Sequence, residues 1–250
     1  MSLNRQTIVA TAAAGLVLAA AACAPASAAS TVRAVGAKGP LKTERLSDEE
    51  TVTRYAHPYT TAKIRSKPSS HGRTITRLHY HTEDGPLEVY LALRSKVVKG
   101  GATWLQIRIP GRPNGRTGWV REEALGPLVT VRTALRINRT TLKATLYKKG
   151  KKVWQSPVGV GKASTPTPAG RFWVREKLKA LGAAYGPWAF GTSAYSILSD
   201  WPGGGVVGIH GTNEPSLIPG RPSHGCVRVP NRKISQLARL MPVGTPIRIV

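Results

Sequence analysis

A cysteine, two histidines and two arginines lie within residues 210–231, which read HGTNEPSLIPGRPSHGCVRVPN. His224 precedes Cys226 by two residues, and Arg228 follows it by two. The thiolate is the nucleophilic form of cysteine, and nearby cations stabilise it. If residues 223–229 are extended, these three side chains share one face of the strand. The stretch therefore predicts a nucleophilic cysteine, around which the rest of the chain is arranged.

Gly225 stands directly before the thiol and has no side chain, so a substrate backbone can approach Cys226 closely. Neighbouring backbone amides are then placed to receive the oxyanion of a tetrahedral intermediate. The alternative is that Cys226 is a small buried packing residue, the common fate of a free cysteine. The chain contains one other cysteine, Cys23, in a segment that we expect to be removed. A single thiol without a partner in an exported protein favours chemistry over packing.

Two motifs resemble the signature of the YkuD family of bacterial L,D-transpeptidases. The first combines residues 210–212 (HGT) with residues 223–228 (SHGCVR) and Asn231. The second, residues 165–172 (TPTPAGRF), is similar to the TPxGxF segment that precedes the catalytic region in that family. The resemblance covers roughly residues 126–250 and implies a β-sandwich-like catalytic domain.

The resemblance implies that Cys226 is the nucleophile and His210 the general base, with the carbonyl of Gly211 orienting the imidazole. The substrate-binding residues that it implies are Ser223, His224, Gly225, Arg228 and Asn231. Sequence spacing alone leaves open which histidine is the base. Side chains two residues apart on a strand lie about 6 to 7 Å apart, too far for direct proton transfer. A histidine at the end of another strand, as expected for His210 after residues 206–209, can approach the thiol directly.

The function implied by the resemblance is that of an exported, cysteine-dependent acyltransferase of peptidoglycan biosynthesis, cell-wall organisation and cell shape. It would act on peptidoglycan stem peptides, form a thioester acyl-enzyme and make 3→3 cross-links. With water as the acceptor, the same site would be an L,D-carboxypeptidase. Acyl transfer through a cysteine needs no metal or organic cofactor. The alternative from another class is a non-catalytic cell-wall-binding protein.

Acidic residues are scarce in the second half of the chain, which excludes several chemistries. Between residues 126 and 250 they are Glu176, Asp200 and Glu214. A glycosidase needs two apposed carboxylates, and a calcium or magnesium site needs several oxygen ligands. Papain-like and NlpC/P60-type peptidases place the cysteine before the histidine, whereas no histidine follows Cys226.

Met1 to Ala28 is typical of a secretory signal peptide. It has a basic start, an apolar run over residues 8–22 and small residues at 26–28 that fit an A-x-A cleavage site. A retained membrane anchor and a lipoprotein with its lipid on Cys23 are the alternatives, and the alanines that precede Cys23 argue against the second. We therefore expect a secreted protein of the cell wall or extracytoplasmic space, with membrane contact only if this segment is retained.

The formal net charge is +25 over 250 residues. Cleavage after Ala28 removes Arg5 and leaves 25 − 1 = +24. Such a charge attracts polyanions, which for an exported bacterial protein are the anionic cell-wall polymers. The competing partner is nucleic acid, but the densest basic cluster, residues 148–152, lacks interleaved aromatic residues and is typical of a solvated turn. We expect no nucleic-acid partner.

The first half of the chain divides into a linker and a small β domain. Residues 29–50 mix charges of both signs without apolar periodicity, which predicts a flexible linker. Residues 51–125 contain short alternating apolar runs bounded by turn signals, which predict a small barrel. Residues 103–120, TWLQIRIPGRPNGRTGWV, resemble bacterial SH3-like domains. The pair His79-x-His81 has no convincing third ligand, so we expect no metal site.

Residues 126–250 are predicted to be mainly β, so the whole chain is an SH3-like barrel followed by the catalytic domain. Residues 142–160 predict a hairpin, and Asn231 predicts the cap of a short helix. Residues 180–205 are interpreted as a long connection that could face substrate. Because the motifs lie in this half, we expect a chain that begins near Gly126 to fold and keep its chemistry.

Overall fold

Alternating apolar and polar residues build two β-sheets, each with its own apolar core. The structure is a computed structural model that describes residues 42–179, 181–200 and 202–250. The predicted signal peptide, residues 1–28, lies outside the described residues, as does the linker up to residue 41. The predicted mainly β fold is confirmed.

The first sheet has eight strands. They are β1 (Thr43–Arg45), β2 (Thr53–Ala56), β3 (Lys63–Arg65), β4 (Thr74–Arg77), β5 (Tyr90–Val97), β6 (Thr103–Arg108), β7 (Thr117–Arg121) and β8 (Val129–Val131). Their order across the sheet is β4-β3-β7-β6-β5-β2-β8, with β1 paired to β5. In β6, Leu105 and Ile107 are buried in the core and Gln106 between them is partly exposed. The SH3-like barrel assigned to residues 51–125 stays a prediction.

The second sheet has ten strands. They are β9 (Thr133–Asn138), β10 (Lys143–Lys148), β11 (Lys151–Pro157), β12 (Gly159–Gly161), β13 (Gly170–Lys179), β14 (Trp188–Tyr195), β15 (Val206–His210), β16 (Gly220–Ser223), β17 (Val227–Arg228) and β18 (Pro246–Ile249). Their order is β11-β10-β9-β18-β13-β14-β15-β17-β12-β16. The helix α1 (Asn231–Leu240) buries Ile234 and Leu237 in the core of this sheet. Among the described residues, no helix has the length and apolar character needed to cross a membrane.

Segments that the sequence marks as connections contain strands. Residues 180–205 include β14, which lies between β13 and β15 in the middle of the second sheet. All of its residues after Trp188 are buried, so the alternation that signals a half-exposed strand is missing. The predicted linker, residues 29–50, likewise ends in β1. Beyond the boundary predicted at Gly126, β8 still pairs with β2 of the first sheet.

The start of α1 differs from the prediction that Asn231 is its cap. Pro230 occupies the cap position with extended backbone, and Asn231 is the first helical residue. The side chain of Asn231 instead accepts a hydrogen bond from the backbone of Thr212. The helix start is therefore tied to the loop that follows β15.

The two sheets meet at a buried junction. Trp173 of β13 packs against Val89 and donates its indole N–H to the carbonyl of Val89 at 2.7 Å. Next to it, the fully buried guanidinium of Arg175 pairs with the fully buried carboxylate of Glu88 and with Glu83 at 2.8 Å. A chain that begins at Gly126 would lose both carboxylates and expose the indole. The junction therefore argues against the independent folding expected from the sequence.

Candidate active site

Residues 223–229 do not form the single extended strand considered above. The strand β16 ends at Ser223 and β17 begins at Val227, with a bend between them. Gly225 has a φ of +127° there, a conformation that side chains disfavour. The Ser223 hydroxyl donates to the carbonyl of Cys226 at 2.6 Å and accepts from the amide of Gly225 at 3.2 Å. Ser223 thus closes the bend that presents Cys226.

The second motif, residues 165–172, holds this bend through hydrogen bonds. The Thr167 hydroxyl donates to the carbonyl of Gly225 at 2.8 Å and accepts from the amide of Gly161 at 2.9 Å. The amide of Lys162 donates to the carbonyl of Ser223 at 2.9 Å. The two motifs, separated along the chain, are thereby joined in one hydrogen-bonded unit.

Cys226 and His210 both have side-chain atoms close to Gly208. The parallel strands β15 and β17 place His210 opposite Arg228. One step back, the amide of Gly208 donates to Cys226 Sγ at 3.3 Å. A Cβ atom built on Gly208 would lie 3.8 Å from Cys226 Sγ and 3.6 Å from His210 Cδ2. The missing side chain therefore leaves open the space shared by the thiol and the imidazole.

His210 is arranged as a neutral base. Its side chain is buried, and Nδ1 lies 2.6 Å from the carbonyl oxygen of Gly211. Since a carbonyl only accepts, we assign the ring proton to Nδ1, which leaves Nε2 able to accept a proton. Burial lowers the pKa of His210, the Gly211 carbonyl opposes this shift, and the Arg228 charge adds to it. The imidazole is therefore neutral at neutral pH.

The thiol of Cys226 is also neutral in the free protein. Burial raises its pKa, and the amide of Gly208 and the charge of Arg228 offset only part of that shift. The Arg228 guanidinium donates to the Glu214 carboxylate at 2.5 Å, which weakens its field at the sulfur. The charge of Arg228 favours the thiolate, as expected from the sequence, but desolvation outweighs it, so the resting form of Cys226 is the thiol.

His224 is exposed at the bend, and its ring lies beside Lys162. Its Nε2 is 3.2 Å from Lys162 Nζ, and its carbonyl accepts from the Ser196 hydroxyl at 3.3 Å. Because an ammonium group only donates, the ring nitrogen that faces it accepts this hydrogen bond. A role for His224 in binding substrate stays a prediction.

Asn231 positions the loop that carries Gly211. Its Oδ1 accepts from the amide of Thr212 at 2.9 Å. A Cβ atom on either Gly211 or Gly186 would collide with this oxygen, so close packing requires glycine at both positions. Asn231 also lines an open cavity together with Asn213. The substrate-binding role predicted for Asn231 therefore remains open beside this structural one.

The comparison with protein families matches residues 132–249 to YkuD, described as the L,D-transpeptidase catalytic domain. The chain is 30% identical over 143 residues to the Bacillus subtilis protein named L,D-transpeptidase YkuD, covering 57% of this chain and 73% of that protein. This chain belongs to the YkuD family. L,D-transpeptidases are acyltransferases. The family resemblance of the two motifs is confirmed.

A second family member and several solved structures are also similar. The Bacillus licheniformis protein of the same name is 34% identical over 121 residues, and the match covers 48% of this chain and 66% of that protein. The catalytic domain of the Enterococcus faecium L,D-transpeptidase is 26% identical, with 47% of this chain and 96% of that chain covered and a TM-score of 0.37. An L,D-transpeptidase from Mycobacterium tuberculosis H37Rv is 13% identical, with 60% and 90% covered and a TM-score of 0.40.

Tyr185 is a neighbour of the family histidine that the sequence did not single out. Its ring centroid lies 4.9 Å from that of His210 at an interplanar angle of 60°. Tyr185 is exposed, so its ring covers part of the imidazole from the solvent side. Tyr185 lies in residues 180–205, which the sequence analysis interprets as a connection, and no motif there indicates a contact with His210.

Arg112 of the first sheet region supports the YkuD site from outside the catalytic segment. Its guanidinium donates to the carbonyls of Ser196 at 2.8 Å, Leu198 at 2.9 Å and Gly204 at 2.8 Å. It also lies 5.0 Å from the ring centroid of Tyr195. Ser196 in turn contacts the bend through the His224 carbonyl. Only folding brings Arg112 to this place, and no local pattern marks it.

The histidine pair in the first half does not assemble a metal site. His79 Nδ1 lies 2.8 Å from the carbonyl of His81, and His81 Nδ1 lies 2.7 Å from the carbonyl of Gly85. Across residues 42–179, 181–200 and 202–250, no group of three or more His, Cys, Asp or Glu side chains is placed to hold a metal ion.

Proposed function

We propose that this protein is an exported peptidoglycan L,D-transpeptidase that forms 3→3 cross-links through a thioester on Cys226. The observation that carries the proposal is the open space at Gly208, which the thiol and the His210 imidazole flank. A carbonyl carbon placed there lies beside the sulfur that attacks it, and the imidazole that accepts the thiol proton is close by. Family membership supports the same reaction class.

In the first half-reaction, Cys226 Sγ attacks the carbonyl of the third stem residue while its proton moves to His210 Nε2. Since both groups start neutral, the base must take the proton as the carbon–sulfur bond forms. The imidazolium then protonates the amine of the departing D-alanine, and the carbon–nitrogen bond breaks. A thioester and free D-alanine result.

In the second half-reaction, the side-chain amine of another stem attacks the thioester. His210 Nε2 accepts the proton of the attacking amine, and the sulfur leaves and regains a proton. The product is an amide cross-link, and the free thiol is restored. With water as the nucleophile, the product is a shortened stem, as in an L,D-carboxypeptidase.

The Gly225 amide is engaged by the Ser223 hydroxyl, so an oxyanion would have to be bound by the neighbouring amides that the sequence suggests. The amide of Gly208 already points at the reacting sulfur. Negative charge develops on the sulfur as its proton moves to His210, before that charge passes to the carbonyl oxygen. An amide in this position stabilises the sulfur at that early stage. Its geometry is set by two strands and costs no reorganisation.

The test uses a disaccharide-tetrapeptide and mass spectrometry of the products. The wild-type protein should release D-alanine and give cross-linked dimers, and Cys226→Ala should give neither. Shortened monomers without dimers would assign the carboxypeptidase instead. Absence of D-alanine release from the wild-type protein would leave a non-catalytic wall-binding protein and overturn the proposal.

The two histidines are separated by the rate of acylation with a carbapenem, an inhibitor class that the family resemblance implies. His210→Ala should slow formation of the adduct by about 10²- to 10⁴-fold, the usual contribution of a general base. His224→Ala should retain most of the acylation rate, because its ring faces Lys162 rather than the thiol. Intact-mass measurements over time follow the adduct, and the reverse ranking would contradict the assignment.

A further inference from the structure

The outward face of the second sheet carries a row of three arginines. Strand register places Arg171 of β13 opposite Arg248 of β18, and Arg248 opposite Arg136 of β9. All three are exposed on the face away from the core. Neighbouring strands are about 4.8 Å apart, and like charges directly opposite one another destabilise a sheet. Negative charge next to the row would therefore be stabilising.

The protein supplies only part of that charge. The Glu49 carboxylate accepts two hydrogen bonds from Arg108, at 2.5 and 2.8 Å, and lies 3.5 Å from Arg171. Within the described residues, no ion pair includes Arg136 or Arg248. Two adjacent guanidinium groups are thus left without a carboxylate.

A cavity of about 460 Å³ lies over the row and is lined by all three arginines. One wall is formed by residues 49–51 and the other by the hairpin end at Tyr147 and Gly150. A Cβ atom on Gly150 would lie 3.8 Å from Thr51 Cγ2, so the two walls approach each other. The exposed lysines at positions 148, 149, 151 and 152 belong to the same hairpin end. The volume falls in the range of small-ligand sites.

We infer that this cavity binds a phosphate group through the guanidinium groups of Arg136 and Arg248. A guanidinium fork matches phosphate oxygens in bidentate geometry. The non-bridging oxygens of a phosphate, three in a monoester and two in a diester, are arranged tetrahedrally and can each face a guanidinium on a different strand, whereas the two oxygens of a carboxylate lie in one plane. Tyr147 and Pro246 provide a less polar surface for the body that carries the phosphate.

The phosphate site is separate from the proposed catalytic site. In the order of the sheet, β13 and β14 stand between β18 and β15. The phosphate could belong to a free phosphate compound or to a phosphodiester polymer, and the same two arginines would hold either. The inference does not depend on the reaction proposed for Cys226.

Glu50 is an acidic residue that borders the proposed phosphate site. Its exposed carboxylate also lines the cavity and has no ion-pair partner among the described residues. It repels a phosphate, so Glu50→Gln should tighten phosphate binding. A lysine at an arginine position keeps the charge but loses the bidentate fork, so Arg136→Lys should weaken it.

The test is isothermal titration of the full chain with inorganic phosphate, poly(glycerol phosphate) and polyglutamate. Saturable binding at one site is expected for phosphate, and Arg136→Gln with Arg248→Gln should weaken it by about tenfold or more. The matched control, Arg73→Gln with Arg94→Gln, removes the same charge from exposed arginines of the first sheet region and should change little. Tighter binding of the polymer, with the same arginine dependence, would identify a phosphodiester source, and binding of inorganic phosphate alone would identify a free one.

Thermal unfolding gives a second measure of phosphate binding, and it also shows whether each variant is folded. Phosphate should raise the Tm of the wild-type and control proteins but not that of the doubly substituted variant. Without phosphate, the doubly substituted variant should be at least as stable as wild type, because like charges have been removed. No phosphate binding by wild type, equal weakening in the control, or equally tight binding of polyglutamate would overturn the inference.

Discussion

Replacement of Arg112 by alanine tests whether the first half of the chain helps to position the catalytic bend. The substitution removes the three hydrogen bonds to Ser196, Leu198 and Gly204. Those carbonyls lie in the segment between β14 and β15, and Ser196 bonds to the His224 carbonyl at 3.3 Å. The bend that carries Cys226 would then lose one of its supports.

The size of the effect follows from the exposure of these bonds. Two of the three are solvent-exposed and one is partly buried, so each contributes near the lower end of the usual range. We take about 2 kcal/mol for the set. If half of this free energy is added to the activation barrier of acylation, the rate falls about fivefold. If all of it is added, the rate falls about thirtyfold. Loss of Cys226 itself would abolish the reaction.

The assay is the rate of carbapenem acylation followed by intact mass. Arg112→Lys should restore part of the rate, since a lysine can still bond one of the carbonyls. The control Arg94→Ala removes an exposed arginine of β5 and should leave the rate unchanged. The Tm of each variant separates positioning from unfolding. Wild-type acylation by a folded Arg112→Ala variant would refute the reasoning.

Two further predictions concern pH and truncation. Burial lowers the pKa of His210 below its ordinary value of 6.5, and a general base must be unprotonated, so acylation should hold its plateau as the pH falls through 6.5 and decline only below it. A pH–rate profile with its acid limb centred at 6.5 or higher would contradict this. A chain beginning at Gly126 exposes Trp173 and separates Arg175 from Glu88, so it should aggregate or lose its cooperative unfolding transition. Circular dichroism melts measure this, and a melt like that of the full chain would show that the second sheet folds alone.

The sequence predicted several of the strands, and its motifs singled out the candidate site residues. Short runs with period-two alternation mark strands such as β6, because one face of such a strand is buried and the other is not. Where both faces are buried, as in β14, the alternation disappears and the strand was interpreted as a connection. The small and polar residues of β14 also lack the apolar run that marks a fully buried strand.

The motifs indicated which residues form the site, but their environment depended on folding. Sequence neighbours indicated charges that stabilise the thiolate of Cys226, whereas the opposing effect of burial, which raises the thiol pKa, is visible only in the fold. The extended geometry assumed around His224 is broken at Gly225, which turns the imidazole toward Lys162.

The sequence by itself determined the mainly β architecture and the family of the catalytic segment, because strand periodicity and a short motif are local properties of the chain. Tertiary structure alone decided the contacts between distant residues. It placed Arg112 beside the catalytic bend, buried Arg175 against Glu88, and aligned three arginines across β9, β18 and β13. Each of these depends on strand pairing and sheet packing, which bring together residues whose separation along the chain carries no signal.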